Sequence, residues 1–451
     1  MTTSLHFAEA LLPSGWARAV RVELADGCFA RLTPDTPPQP GDLCYAVAIP
    51  GLPNLHSHAF QRGMAGRAER RGPSGDSFWT WRAAMYRFVD QLGPDDLLAI
   101  AALAYAEMLE SGFTRVGEFH YLHHDPAGAS YAGAPMAEAL AAAAAETGIA
   151  LTLLPVFYAQ SGFGGAASGH GQRRFVCSID QFANLRAASS AALAGLPDAV
   201  LGLAPHSLRA VTPAQLAELI TLDQNCPVHI HVAEQAAEVA DCLAWSGARP
   251  VQWLLDHTPV DHRWCAVHAT HITPAESAGL AASGAVVGLC PITEANLGDG
   301  LFPAPDFLAA GGRFGIGSDS NVLIDAAEDL RWLEYGQRLA GQARNLFAAA
   351  PGNSSGGDLL RGALAGGAQA LGAAAELAVG RSADFVTLDP QHPSLTGARG
   401  DGWLDGWIFA AGRAGIDSVW RRGAQVVADG RHVARPAITA RYRAALARLL
   451  G

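Results

Sequence analysis

A chain of 451 residues, half of them hydrophobic and 16% charged, carries enough apolar side chain for one large core and a smaller one, which excludes a disordered protein. The formal net charge of -11 argues against nucleic acid or an anionic membrane as partner, although arginines can still gather around a small anion in a pocket. All 31 basic residues are arginine, so no carboxylated lysine can bridge two metal ions, and any metal site is expected to hold a single ion.

Residues 1–46 read as short alternating strands, for example Ala19–Leu24 before the turn signal Asp26-Gly27. From 47 to 320, short apolar runs alternate with helix-length segments. The expected strands are 47–56, 113–120, 149–157, 199–206, 226–232, 263–269, 285–290 and 313–319. Most are continuous apolar runs, as befits strands covered on both faces. The expected helices include 95–111, 135–147, 213–221, 235–245 and 273–283. Thr212-Pro213 and Thr273-Pro274 supply a capping Thr followed by Pro at the first helical position. The glycine-rich segment 350–357 reads as a flexible loop. Alternation returns in Ala383–Leu388 and in Gln425–Val427 before Asp429-Gly430, and a helix over 436–451 ends the chain.

This order predicts an α/β fold. A TIM-type (β/α)8 barrel over 47–377 stands beside a small β-sandwich domain built jointly from 1–46 and 378–435. An open doubly wound sheet is the rival arrangement. The barrel is preferred because the chemistry-bearing residues sit at strand C-terminal ends, and only a closed sheet brings those ends to one mouth. The seven cysteines, at 28, 44, 177, 226, 242, 265 and 290, are scattered and lack CxxC pairs. They read as buried reduced thiols of a cytoplasmic protein. Met1–His6 shows no basic, signal-like start, and the Ala-rich 137–145 is too short to cross a bilayer.

His56 and His58 stand one residue apart in Pro-Gly-Leu-Pro-Asn-Leu-His-Ser-His, and extended backbone turns both to one side. His229 and His231 repeat that spacing. His231 is the better ligand candidate because Glu234 follows it at the start of the next helix; His229 lies deeper and reads as a core histidine. His268 follows Trp-Cys-Ala-Val, with His271 three residues on, and Asp319 closes Gly-Ile-Gly-Ser-Asp-Ser. Each has an ordinary structural explanation alone: a loop polar group, a helix N-terminal acid, an N-cap. Falling together at successive strand ends, three imidazoles and a carboxylate suit Zn2+, with Fe2+ or Mn2+ as alternatives. A glutamate and a further histidine are then left to move protons in a metal-assisted hydrolysis.

The pattern of HxH after the first strand, His-x-x-Glu after the fifth, His after the sixth and Asp after the eighth resembles the amidohydrolase superfamily, in its mononuclear deaminase branch. Longer strings are similar to those of the formimidoylglutamate deiminase family: Asn54–Arg62, Asp76–Arg82, Glu118–Tyr121, Ser161–Gly165, His206–Val211 and Thr293–Gly300. The resemblance covers essentially the whole chain. It implies one Zn2+ per subunit held by His56, His58, His231 and Asp319, with Glu234, His268 and Asp319 catalytic. It implies hydrolysis of N-formimidoyl-L-glutamate to N-formyl-L-glutamate and ammonia in histidine degradation, by a homodimer. Arg82 and Arg209 would fork the two carboxylates of that substrate, and Gln61, Tyr121 and His206 would complete the polar pocket. A related deaminase acting on guanine, cytosine or an adenosine derivative, and a catalytically inactive binding barrel, are the competing functions. One departure stands out: Asn321 follows Ser318-Asp319-Ser320 where relatives are expected to carry His.

Overall fold

Eight parallel strands close into a barrel in the computed structural model, which describes residues 3–71 and 77–451. Met1, Thr2 and Asp76, the first residue of the Asp76–Arg82 string, lie outside the described residues. The barrel strands are Leu52–Ser57, Phe113–His120, Ala150–Phe157, an interrupted fourth strand (Val200–Leu201 and Ala204–Pro205), Val228–Val232, Trp264–His268, Val286–Leu289 and Arg313–Ile316. Parallel ladders run from the first strand to the fourth and from the fifth to the eighth. Two seams close the cylinder. Leu203 pairs with Val228 and Ser207 with His231 on one side, and Ser57 pairs with Asp319 on the other.

The expected strand over 47–56 divides in two. Leu43–Pro50 belongs to a separate sheet, and only Leu52–Ser57 enters the barrel. One uninterrupted apolar run feeds both sheets because both are buried there, so hydrophobicity marks no boundary. The separate sheet has eight strands in the order Arg431–His432, Ala424–Ala428, Ile416–Arg421, Phe385–Leu388, Leu43–Pro50, Thr3–Leu12, Gly15–Ala25 and Cys28–Thr33. Both chain termini therefore contribute to it. It curls on itself: the Phe29 N–H donates to the Arg381 carbonyl at 2.9 Å, and the Phe29 and Phe385 rings approach to 6.1 Å although several strands separate them. Leu5, Phe7, Val20, Val22, Phe29, Phe385 and Trp420 form its own core, with Phe385 stacked on Trp420. Arg421, buried, pairs with Asp384 at the edge of its own sheet and, at 2.6 Å, with Asp198 of the barrel, so it joins the two.

The expected helices form as Pro94–Glu110, Pro135–Thr147, Pro213–Leu219, Ala236–Ser246 and Pro274–Ser283. Thr212 and Thr273 cap theirs by accepting from the Gln215 and Glu276 N–H groups. The segment 350–357 is not all loop, because a helix starts at Ser355 and runs to Ala370, capped by Ser354. Its glycines serve close packing rather than flexibility. A Cβ on Gly366 would lie 1.9 Å from the Phe314 carbonyl oxygen on the eighth strand. The final helix, Arg435–Leu450, lies on Pro94–Glu110 and anchors Arg435 to Glu107 and Glu110. Five cysteines are buried, but Cys28 is half-buried and Cys44 exposed, at strand starts that emerge from the terminal sheet. Among the described residues no helix is long and apolar enough to cross a membrane.

Candidate active site

The first and eighth barrel strands are drawn together at their C-terminal ends. The Asp319 N–H donates to the His56 carbonyl and the His58 N–H to the Asp319 carbonyl, both at 2.9 Å. Gly317 permits that approach, since a Cβ there would stand 2.7 Å from the His56 carbonyl oxygen. The interlock sets Asp319 Oδ1 3.4 Å from His56 Nε2 and 3.2 Å from His58 Nε2. His231, on the fifth strand, brings its Nε2 to 3.0 Å from His56 Nε2.

The tautomers follow from hydrogen bonding. His58 Nδ1 lies 2.9 Å from the Phe119 carbonyl and His231 Nδ1 lies 3.1 Å from the His206 carbonyl. A carbonyl only accepts, so each Nδ1 carries the proton and each Nε2 offers a lone pair to the centre. Burial lowers His56 to about 3 and His231 well below its ordinary value, which keeps these two imidazoles neutral. Asp319 is the anionic member of the set, its pKa lying well below the ordinary carboxylate value although burial would raise it. Neutral imidazole lone pairs and a carboxylate converging within hydrogen-bond distances fit a borderline-soft divalent cation.

His268 completes the floor. Its Nε2 is 3.9 Å from Asp319 Oδ2, and its Nδ1 is 3.3 Å from Glu294 Oε1. Burial alone would lower its pKa, but Glu234, Glu294 and Asp319 raise it to about 10. Glu294 is itself held by the Cys290 N–H at 2.9 Å. Glu234 follows Ala233, just before helix Ala236–Ser246, and its own N–H donates to Glu238 at 3.1 Å. Burial raises the Glu234 pKa, against the opposing pull of His268 and Arg209. Ala233, His268 and Asp319 all have left-handed backbone, with φ of 52°, 69° and 44°. Non-glycine residues in that region cost of order 1–3 kcal/mol each, and such strain gathers where side chains must be aimed.

A cavity opens above this floor. All five expected substrate residues line it: Gln61, Arg82, Tyr121, His206 and Arg209. The Gln61 amide donates to the Tyr121 hydroxyl at 3.0 Å. Arg209 is buried, with its guanidinium 3.9 Å from Glu234 and 3.8 Å from Glu238, and among the described residues its Nε–H has no hydrogen-bond acceptor. Arg82 projects from helix Phe78–Val89 and lies over the Trp79 ring at 4.3 Å. Two guanidinium groups in one cavity wall suit a carboxylate-bearing ligand.

His229 stays out of the cluster, as expected; it is bound to the Ala370 carbonyl at 2.7 Å. His271 lies off the cavity, its carbonyl accepting from Arg249. Asn321 is also off the cavity. Fully buried, it donates to Ser57 Oγ and to the His58 and Asp319 carbonyls at 3.0–3.1 Å, so it ties the first strand to the eighth. Sequence reasoning missed Trp81, Met85, Tyr86, Tyr158 and Phe175, which also line the cavity. The signal was present for helix Phe78–Val89: residues 78, 81, 82, 85 and 86 share one helical face.

Residues 47–426 match the model of the amidohydrolase family, and residues 2–44 match the N-terminal domain of formimidoylglutamate deiminase HutF. The chain is 53% identical to the formimidoylglutamate deiminase of Pseudomonas aeruginosa, over 95% of this chain and 96% of that protein. It is 28% identical to the 5-methylthioadenosine/S-adenosylhomocysteine deaminase of Natronomonas pharaonis, over 78% and 74% of the two chains. Among solved structures, an amidohydrolase from Brucella melitensis superposes with a TM-score of 0.97 at 54% identity, covering all of both chains. A zinc-bound adenosine deaminase from Xanthomonas campestris shares the fold, with a TM-score of 0.81 at 23% identity over 99% of this chain and 98% of that one.

Proposed function

We propose that this chain, which belongs to the amidohydrolase family and matches a formimidoylglutamate deiminase over 95% of its length, hydrolyses N-formimidoyl-L-glutamate to N-formyl-L-glutamate and ammonia. One observation carries the reading: a single cavity has a histidine–carboxylate floor at one end and two guanidinium groups in its walls. The floor suits attack on an amidine-like carbon, and the arginines suit the two carboxylates of the substrate.

His56, His58, His231 and Asp319 would hold one divalent cation, read as Zn2+ from its three imidazoles and one carboxylate. Bound there, such an ion supplies Lewis acidity and makes a nearby water acidic near neutral pH. The remaining chemistry falls to side chains. Asp319, ionised and bordering the cavity, accepts a proton from the water that attacks the formimidoyl carbon. Glu234, whose pKa burial raises, gives a proton to the imino nitrogen. His268, cationic between three carboxylates, offsets negative charge on the former water oxygen. Asp319 then returns its proton to the departing nitrogen, the intermediate's hydroxyl proton passes to Glu234 as the formyl C=O forms, the C–N bond to that nitrogen breaks, and ammonia leaves with both carboxyls restored. Arg82 and Arg209 hold the carboxylates, while Gln61, Tyr121 and His206 fix the chain between the two ends.

The same reading places the reaction in histidine degradation, in the cytoplasm, with one ion per subunit of a homodimer. The absence of CxxC pairs supports a reducing compartment, and the dimer rests on the family resemblance alone. The test is ammonia release by zinc-loaded protein offered N-formimidoyl-L-glutamate, guanine or 5-methylthioadenosine. Turnover of the first alone is expected. Release from a purine with none from formimidoylglutamate would overturn the assignment.

A further inference from the structure

Tyr158 follows the third barrel strand and lines the cavity beside His206, with ring centroids 4.8 Å apart. Its hydroxyl oxygen receives a hydrogen bond from the side-chain amide of Gln172 at 2.6 Å. The direction of that bond is fixed from behind. The Gly169 N–H, which can only donate, lies 2.8 Å from Gln172 Oε1, so the amide oxygen faces Gly169 and the NH2 faces Tyr158. Gln172 is buried on a short 3-10 turn, His170–Gln172, and its own carbonyl accepts from the Phe175 N–H.

With its oxygen occupied as acceptor, the Tyr158 hydroxyl has one proton left to donate. Among the described residues no protein acceptor receives it. Burial raises the phenol pKa, so the proton stays on across the working pH range. Arg82 and Arg209 line the same cavity as Tyr158. A buried donor on the wall of a cavity that also holds two guanidinium groups matches an anionic oxygen and no cationic or purely apolar group.

We propose that Tyr158 is a specificity-determining residue whose hydroxyl donates to a substrate carboxylate alongside Arg82 and Arg209, and that Gln172 is the positioning residue that turns that proton into the cavity. This rests on the dicarboxylate reading above and deepens it. One carboxylate is read by a neutral donor set by a rigid relay, Gly169 to Gln172 to Tyr158, as well as by arginine charge.

The experiment compares zinc-loaded wild-type, Tyr158→Phe, Gln172→Leu and doubly substituted proteins, each with its zinc content and Tm recorded. Two readouts are used: KM and kcat for ammonia release from N-formimidoyl-L-glutamate, and calorimetric affinity for glutarate, a dicarboxylate that needs no turnover. Tyr158→Phe is expected to raise KM and weaken glutarate binding about tenfold to a hundredfold, the usual weight of a hydrogen bond to a charged group, with kcat within about threefold. Gln172→Leu is expected to weaken both by a smaller factor. Added to Tyr158→Phe it should change either by less than about twofold, because it acts through the hydroxyl. Glutarate binding unchanged by Tyr158→Phe, or additive losses in the double variant, would overturn the proposal. Loss of ammonia release in wild type with glutarate binding intact would instead count against the substrate assignment and leave Tyr158 as a carboxylate reader.

Discussion

The first and fifth barrel strands carry the same His-x-His spacing, yet one delivers two histidines to the cluster and the other delivers one. The difference is depth. On the fifth strand both histidines lie within regular extended backbone, and residues two apart are separated by roughly 7 Å along the strand. His231 reaches the floor of the cavity, while His229 stays a layer below, bound to the Ala370 carbonyl. On the first strand regular structure ends at Ser57, and His58 sits at the start of a 3-10 turn, Ala59–Met64. The chain bends there, and both Nε2 atoms come within 3.4 Å of the same Asp319 oxygen. A ligand pair at i and i+2 therefore depends on where the strand stops, and not on spacing alone.

Substituting across this contrast should separate chemistry from scaffold. The largest effect is expected at the upper layer: His231→Ala should reduce ammonia release below detection, whereas His229→Ala should retain turnover within about tenfold of wild type, given that its partner is only a structural carbonyl. Equal loss in both would erase the distinction. Next comes Glu234→Gln, which keeps shape and removes the acid. A fall in kcat of about 10²–10⁴-fold with zinc content unchanged is expected in steady-state assays, and near-normal turnover would remove Glu234 from its role.

Below the floor the expected currency is stability. His229→Ala leaves the buried Ala370 carbonyl without its donor, so denaturant titration should show a loss of about 1–3 kcal/mol from that group alone. A stability equal to wild type would show the lower histidine to be dispensable. The smallest effect concerns Glu118, buried behind the first strand with its Oε1 bound to the Ala59 N–H. Burial raises this carboxyl from 4.5 to about 7. A raised acid favours the fold while protonated, so its contribution is whole below about pH 4.5 and fades as pH rises through about 7. Thermal unfolding at constant metal load should thus show Tm falling between pH 5 and 8 less steeply in Glu118→Gln than in wild type. Parallel profiles would mean that Glu118 titrates normally.

Much of the site was legible in the sequence because barrel geometry turns scattered positions into neighbours. His56, His58, His231, Glu234, His268 and Asp319 each end an apolar run, and closing the barrel brings those ends to one mouth. Capping chemistry at Thr212 and Thr273 marked two helix starts for a local reason that tertiary packing did not override. What escaped was decided by packing. The run through Val47–Leu55 stays apolar across the change of sheet, since both sheets bury it, and only the Pro50-Gly51 turn pair marks the boundary. The glycines near 356–367 imitate a loop but permit a helix to lie against the eighth strand. Tyr158 and Gln172 look like any tyrosine and glutamine until the fold sets one behind the other.

The most direct test of the central claim is the zinc content of purified wild-type, His229→Ala and His231→Ala proteins after equilibration with limiting free zinc. The depth account predicts one ion per chain in wild type and in His229→Ala, and a near-empty site in His231→Ala. A full complement in His231→Ala, or a loss in His229→Ala as deep as its neighbour's, would contradict it.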